Sequence, residues 1–126
     1  MLAALLGVLI GLERRWRGQA PGVRMTALAC MCPAVFAEWS RVYGGDDRMA
    51  SQVVAGVVLF GAGLFLSKGL SAKGVTTAAA IWLAAGVGIA VALEFYIAAM
   101  VSAVVGVVLL EVRTVAESFG PREKRD

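Results

Sequence analysis

The residues of this sequence that could carry chemistry are a few charged and polar side chains at the edges of long apolar stretches. Glu13 and Arg14 follow the first apolar stretch, and Arg24 precedes the second. Ionisable and polar groups beside or within apolar segments are costly to bury, so each is a candidate for a function. The residues that we select as a functional polar cluster are Glu13, Arg14, Arg24, Gln52, Thr76 and Thr77.

Glu13 offers the most chemistry of this set. Its carboxylate could pair with Arg24 across one short connection, and an ion pair that only fixes the helix end is as good an interpretation as a functional role. Mg²⁺ takes oxygen ligands in octahedral geometry and keeps several waters. Glu13 is therefore also a weak candidate for a metal ligand, together with Gln52 and threonine hydroxyls. The identity of any metal stays open.

The threonines and the other acids have simpler explanations. Thr76 stands at the predicted start of a helix, where a hydroxyl can cap free N–H groups. Thr77 and Gln52 are harder to assign to capping, and we expect them to line a polar seam. Glu38 and Glu94 are expected near the external side as hydrated acids.

Several chemistries are excluded by residue type and pattern. The sequence has no histidine, no arrangement for nucleophilic catalysis and no phosphate-binding glycine loop. Cys30 and Cys32 would point about 200° apart on a helix, which disfavours a disulfide or a metal pair. We predict that the protein is not an enzyme, has no cofactor and binds no nucleic acid, with Mg²⁺ considered only as a substrate or ligand.

Long apolar stretches must position these side chains. Of the 126 residues, 60% are hydrophobic and 17% charged, and the mean hydropathy is +0.80, which is more apolar than soluble globular proteins. A helix needs about 20 apolar residues to cross roughly 30 Å of hydrocarbon. We predict an all-α membrane protein, a compact bundle of about five transmembrane helices. They cover approximately residues 1–16, 24–40, 49–67, 75–93 and 95–113, in a transmembrane domain at 1–112 followed by a cytoplasmic tail at 113–126 without a second domain.

The first predicted helix has a competing interpretation as a signal peptide. A signal peptide carries charge before its apolar stretch and a small-residue cleavage site after it, whereas here Glu13–Arg17 follows Met1–Leu12. We therefore interpret Met1–Leu12 as a short or N-terminally trimmed first helix. Continuous apolarity without alternation argues against transmembrane strands.

The basic residues predict an orientation. Ten of the twelve Lys and Arg residues lie at 14–24, at 68–73 and in the tail. The positive-inside rule places these segments in the cytoplasm, so the N-terminus is predicted outside and the C-terminus inside. This arrangement requires an odd number of spans.

Small residues recur at helical spacing and predict close helix packing. In lipid, helices associate through such residues because their backbones can approach closely. The residues predicted at packing contacts are Gly7, Gly11, Gly22, Gly56, Gly61, Gly63, Ala80, Ala84 and Gly88. The pattern does not distinguish contacts within one chain from contacts between chains. The predicted partners are the lipid bilayer and either a second copy or another membrane protein.

Four ordered blocks carry a family pattern. They are GVLIGLER at 7–14, PGVRMTAL at 21–28, RMASQVVAG at 48–56 with FGAG at 60–63, and KGVTTAAAIW at 73–82 with AGVG at 85–88. Together they resemble the MgtC/SapB family of bacterial membrane proteins. The chain departs from that pattern at Pro21, Met25, Pro33 and Glu94, the last standing where glycine is common.

This resemblance implies a multi-pass protein of the bacterial inner membrane that is associated with magnesium homeostasis, acid or stress tolerance, or intracellular survival. Two activities stay open: cation transport, and a non-conducting regulatory role in which small-residue helix faces bind another membrane protein. Longer family members carry a soluble cytoplasmic domain after the fifth helix. We expect the polar cluster to act as a latch that holds the cytoplasmic helix ends together, or as an anion-tolerant gate, rather than as a bare Mg²⁺ cage.

Overall fold

The computed structural model describes residues 1–19, 21–44, 48–67 and 72–119, while the side chains of Ala50, Ala72 and residues 113–119 lie outside this description. Within these residues all regular structure is helical. The five helices are α1 (Leu2–Trp16), α2 (Val23–Tyr43), α3 (Arg48–Ser67), α4 (Ala72–Ala92) and α5 (Tyr96–Phe119). The predicted all-α class with five helices is confirmed for the part of the chain that the structure describes.

Three helices differ by three or more residues from their predicted bounds. α2 continues to Tyr43 instead of ending at 40. α4 begins at Ala72, three residues before the predicted start at 75, so the positions of its threonines within the helix change. α5 continues to Phe119 and includes residues that were predicted as tail. It can do so because no glycine or proline stands between the predicted end at 113 and Gly120-Pro121. Residues 120–126 of the predicted tail, and Lys68 of the predicted cytoplasmic side, lie outside the described residues.

Two helices end in the same hydrogen-bonded turn. After α1, the Gln19 N–H donates to the Arg14 carbonyl at 2.9 Å, and Gly18 has φ 65°. After α4, the Phe95 N–H donates to the Ala90 carbonyl at 2.9 Å, and Glu94 has φ 64°. This is the Schellman motif, which favours glycine at the left-handed position. Glu94 therefore stands where glycine would be the unstrained residue.

α4 is the central helix of the bundle. It contacts α1, α2, α3 and α5, whereas α1 also packs on α2, and α3 also packs on α2. Apolar side chains from four helices meet in one core, and examples are Ile10, Cys30, Val87 and Ala99. Because α4 contacts each of the other described helices, their positions depend on it.

Some of the predicted packing residues lie at very close helix contacts. A Cβ at Gly7 would stand 2.7 Å from the Thr26 carbonyl oxygen, and a Cβ at Gly88 would overlap the Cys30 carbonyl group. At Gly11 a Cβ would overlap the Thr26 hydroxyl. Backbones thus approach as closely as small-residue packing requires. Ala80 and Ala84 are fully buried.

The other predicted packing glycines lie in different surroundings. Gly61 is buried and faces Ala78, with an ordinary van der Waals distance of 3.9 Å from the position of an added Cβ. Gly22, Gly56 and Gly63 have open space where a Cβ would be. The structure therefore does not place these three glycines at close contacts within the described chain: Gly22 is the exposed N-cap of α2, and Gly56 and Gly63 are exposed on α3.

One helix of the described residues, Lys73–Ala92, is both long and apolar enough to cross a membrane. The apolar helical segments Ser51–Ser67 and Tyr96–Val112 are shorter.

Candidate functional site

Arg17 joins two carboxylates at the end of the bundle where α1 ends. Its Nε lies 2.8 Å from Oε1 of Glu13, one turn earlier on the same helix, and its Nη2 contacts Oε1 of Glu111 on α5. We call these three residues the Arg17 cluster. The cluster links α1 to α5, and its side chains remain partly exposed, so its effect on stability is modest: exposed ion pairs usually contribute less than about 1 kcal/mol.

The predicted pairing of Glu13 with Arg24 does not occur. Glu13 pairs with Arg17 instead, since residues four apart share one face of a helix. Arg24 is exposed at the start of α2 and forms no ion pair with the described residues. The sequence contained the signal for Arg17, whose spacing from Glu13 favours pairing. Glu111 had no such signal, because its proximity depends on how α5 returns to α1.

Arg14 is buried near the end of α1, with only 3% of its surface exposed. Its carbonyl accepts the hydrogen bond from Gln19 that closes the turn after α1. A buried guanidinium requires polar partners, and Arg14 has polar interactions in this structure. Arg14 is thus part of the packed end of α1, whereas Arg15 and Arg17 are exposed.

Thr77 is buried inside α4, and its hydroxyl donates to the Lys73 carbonyl at 2.8 Å. Because α4 begins at Ala72, Thr76 and Thr77 are the fifth and sixth residues of the helix. The predicted capping role of Thr76 is therefore not available to it. Thr76 is half-buried beside Thr77.

Thr26 is a buried polar residue that sequence reasoning did not select. Its hydroxyl donates to the Val23 carbonyl at 3.0 Å, and it stands at the close contact between α1 and α2 opposite Gly11. A threonine inside an apolar helix can satisfy its hydroxyl within its own helix in this way. The position of Thr26 within the block at 21–28 was the available signal.

Gln52 is exposed on α3, in the half of that helix nearest its start. The start of α3 follows the end of α2, which is the end of the bundle opposite the Arg17 cluster. Gln52 therefore does not join Glu13 in one site, and the selected set of six residues is divided between two ends.

Arg41 forms a second cluster at this opposite end. Its Nη2 and Nε lie 2.8 and 3.2 Å from the two carboxylate oxygens of Glu38, and its Nη1 lies 3.1 Å from Oε1 of Glu94. We call these residues the Arg41 cluster. It joins α2 to the turn after α4 at the wall of a cavity of about 660 Å³. Glu38 and Glu94 are partly exposed, as expected of hydrated acids, and in addition they share one arginine, a pairing that was not predicted from the sequence.

The carboxylates whose side chains are described all face arginine. Glu13 and Glu111 contact Arg17, while Glu38 and Glu94 contact Arg41. No group of three or more His, Cys, Asp or Glu side chains in the described ranges is arranged to hold a metal ion. Each cluster can hold helix ends together, and a guanidinium already occupies the position that a cation would take beside the carboxylates.

These features define a class: a five-helix bundle in which small residues bring α1, α2 and α4 together and arginine clusters tie the two ends. The sequence model of the MgtC family matches residues 1–119, so the chain belongs to the MgtC family.

Two curated relatives illustrate this membership. The chain is 41% identical over 91 residues to Protein MgtC of Salmonella typhimurium, and the match covers 71% of this chain and 39% of that protein. It is 39% identical over 90 residues to Protein MgtC of Brucella abortus, covering 69% and 38% respectively. The chain thus spans about two fifths of the length of the curated relatives it matches. No solved structure matches it.

Proposed function

We propose that this chain is the multi-pass membrane part of an MgtC-type protein of the bacterial inner membrane and that it supports magnesium homeostasis or tolerance of acid and other stress. Membership of the MgtC family supports the class of protein. The observation that carries the membrane assignment is the apolar exterior of the bundle, described next.

Large apolar side chains are exposed on all five helices. Examples, one for each helix in order, are Leu9, Val35, Leu59, Trp82 and Ile97. Contiguous exposed apolar surface is unfavourable in water and marks an interface with a membrane or a protein. By contrast, the described ion pairs lie at the two ends of the bundle. Hydrocarbon around the middle and water at both ends account for this distribution.

The proposed orientation places the Arg17 cluster in the cytoplasm and the Arg41 cluster outside. Arg14, Arg15, Arg17 and Arg24 are all near the first of these ends, which is the distribution that the positive-inside rule associates with the cytoplasm. A second basic connection in the sequence, at 68–73, falls on the same side in a five-span arrangement.

Within this function, a non-conducting role that depends on a membrane partner is favoured over cation transport. The described carboxylates are paired with arginine, and the α1–α2–α4 interface is packed at backbone contact. A free surface is available on α3, where Leu59 and Leu66 are strongly exposed and Gly63 has open space at its Cβ position. This outer face of α3, defined by Leu59, Gly63 and Leu66, is the proposed contact for the partner.

Membrane integration and orientation can be tested with single cysteines in a variant that carries Cys30→Ala and Cys32→Ser. Gly44 is exposed at the Arg41 end and Arg15 at the Arg17 end. We expect Gly44→Cys to react with an impermeant maleimide in intact spheroplasts and Arg15→Cys to react only after the membrane is opened. The reverse pattern would invert the orientation, and release of the protein by alkaline carbonate would overturn the membrane assignment.

The role can be tested with purified protein in liposomes and with a deletion strain. We expect no Mg²⁺ flux above that of empty liposomes. In the strain, Gly63→Leu should reduce growth in low Mg²⁺ or acid while the protein remains folded, because the added side chain changes the α3 face without meeting other residues of the chain. Mg²⁺ flux that depends on the protein would instead establish transport.

A further inference from the structure

We propose that the groove between α2 and α3 binds an acyl chain of an anionic phospholipid whose headgroup lies beside Arg24. The inference rests on the proposed function, since it requires the bundle to lie in a bilayer. The groove has a volume of about 360 Å³, within the range of about 300–1,000 Å³ that is common for small-molecule sites. Ile81 of α4 forms part of its floor.

The chemistry of the groove selects hydrocarbon. Every residue that lines it is apolar, including Leu28, Cys32 and Phe36 from α2 and Val53 and Phe60 from α3. Water in such a groove would lack hydrogen-bond partners. A flexible hydrocarbon chain makes dispersion contacts with these side chains. It gives up no hydrogen bonds when it leaves bulk lipid.

Arg24 supplies the charge that selects the headgroup. Arg24, Leu28, Cys32 and Phe36 follow one another at intervals of four residues, so they lie along one side of α2. The last three line the groove, and Arg24 stands one turn beyond them toward the helix start. Side chains on a helix lean toward its N-terminus, so the guanidinium extends away from the groove toward the bundle end.

The Arg24 side chain is exposed and has no hydrogen bond or ion pair with the described part of the chain. It differs in this respect from Arg17 and Arg41, which each bind two carboxylates. A free guanidinium at the mouth of an apolar groove complements an amphiphile with an anionic head. A zwitterionic lipid offers Arg24 only a phosphate whose charge its own ammonium group already balances, and a small anion alone would leave the groove unfilled.

Two variants address the two halves of the site. Arg24→Gln removes the charge, and its control is Arg15→Gln, which removes an exposed charge at the same end of the bundle. Gly56→Leu places a side chain into the groove that Gly56 lines, and its control is Gly63→Leu on the same helix outside the groove. Both glycines have open space at the Cβ position, so both variants are expected to fold.

Lipid binding can be measured by native mass spectrometry of the full chain in detergent, with phosphatidylglycerol, phosphatidylcholine and soluble glycerol phosphate as probes. We expect wild type to prefer phosphatidylglycerol, and Arg24→Gln to weaken that affinity about fivefold and to weaken the affinity for phosphatidylcholine less. Gly56→Leu should weaken the binding of both lipids, because the leucine side chain fills the part of the groove that Gly56 leaves open to the acyl chain. Both controls should bind as wild type does.

The other outcomes overturn the proposal in distinct ways. If wild type, Arg24→Gln and Gly56→Leu bound the phospholipids with equal affinity, the proposed site would be refuted. An Arg24→Gln effect that glycerol phosphate reproduces, with Gly56→Leu unaffected, would indicate a free anion and no acyl chain. Carbonate extraction of the same variants separates this from the proposed function: retention in the membrane with no lipid site would refute the inference alone, whereas release would refute the membrane assignment.

Discussion

Arg41 on α2 contacts Glu94 in the turn after α4, with 3.1 Å between Nη1 and Oε1. The same Glu94 has φ 64°, in the left-handed region that is unfavourable for residues with a side chain. The contact with Arg41 compensates for this conformation. The departure from the glycine that is common at this position in the MgtC/SapB pattern thus creates an interaction between two helix ends.

Substituting Glu94 by glycine and by alanine should separate the contribution of the Arg41 contact from the cost of the left-handed backbone. Glu94→Ala loses the contact with Arg41 and keeps the strained backbone, whereas Glu94→Gly loses the contact and relieves a strain of about 1–2 kcal/mol. We expect Glu94→Gly to have the higher thermal midpoint in detergent. Equal midpoints for the two variants would show that the turn is not strained in solution.

Gly88→Ala should destabilise the bundle by about 1–3 kcal/mol, because a Cβ at this position overlaps the Cys30 carbonyl and α2 and α4 must separate. The matched control is Gly86→Ala, two residues earlier on α4, where a Cβ has open space. Thermal unfolding of both variants in one detergent makes the comparison. A Gly88→Ala protein as stable as Gly86→Ala would contradict the close contact.

Arg17→Gln should reduce complementation of a deletion strain in low Mg²⁺ or acid with nearly normal expression. Without the guanidinium, Glu13 and Glu111 become neighbouring unpaired carboxylates, and the link from α1 to α5 is lost. Glu13→Gln should act in the same direction. The control is Arg15→Gln, since Arg15 is exposed on the same helix. Full complementation by Arg17→Gln and Glu13→Gln would show that the Arg17 cluster only stabilises the helix end and has no role in function.

The two cysteines should differ in reactivity. Cys30 is fully buried at the contact with Gly88, whereas Cys32 is exposed and lines the α2–α3 groove. In detergent, we expect a membrane-permeable maleimide to modify Cys32 faster than the fully buried Cys30, and added phospholipid that fills the groove to slow the reaction of Cys32, as measured by peptide mass spectrometry. Modification of Cys30 at the same rate would show that α2 and α4 separate readily.

The helices could be predicted from sequence because each depends on a local property, the continuous apolarity between charged clusters. The close contacts at Gly7, Gly11 and Gly88 involve positions that the spacing of small residues had already selected. The open positions at Gly56 and Gly63 carry the same local pattern. Only the three-dimensional arrangement reveals that neither lies at a close helix contact: Gly56 lines the α2–α3 groove and Gly63 lies outside it.

The ion pairs show which contacts can be predicted from sequence and which cannot. Glu13 with Arg17 and Glu38 with Arg41 are close in sequence, and their spacing on a helix makes such pairs foreseeable. Glu111 and Glu94 reach the same arginines from distant parts of the chain. Their roles depend on which helices are neighbours and on where a turn ends, and neither is encoded by the residues around them.

The central place of α4 has a consequence for the order in which the protein assembles during synthesis. Helices α1 and α2 can pair as soon as both have left the ribosome, since they contact each other directly. The shared core cannot close until residues up to Ala92 have been made, because α4 supplies its centre. Until then α3 has only α2 as a partner, so a nascent chain stalled before α4 would expose unfinished helix faces to quality-control proteases.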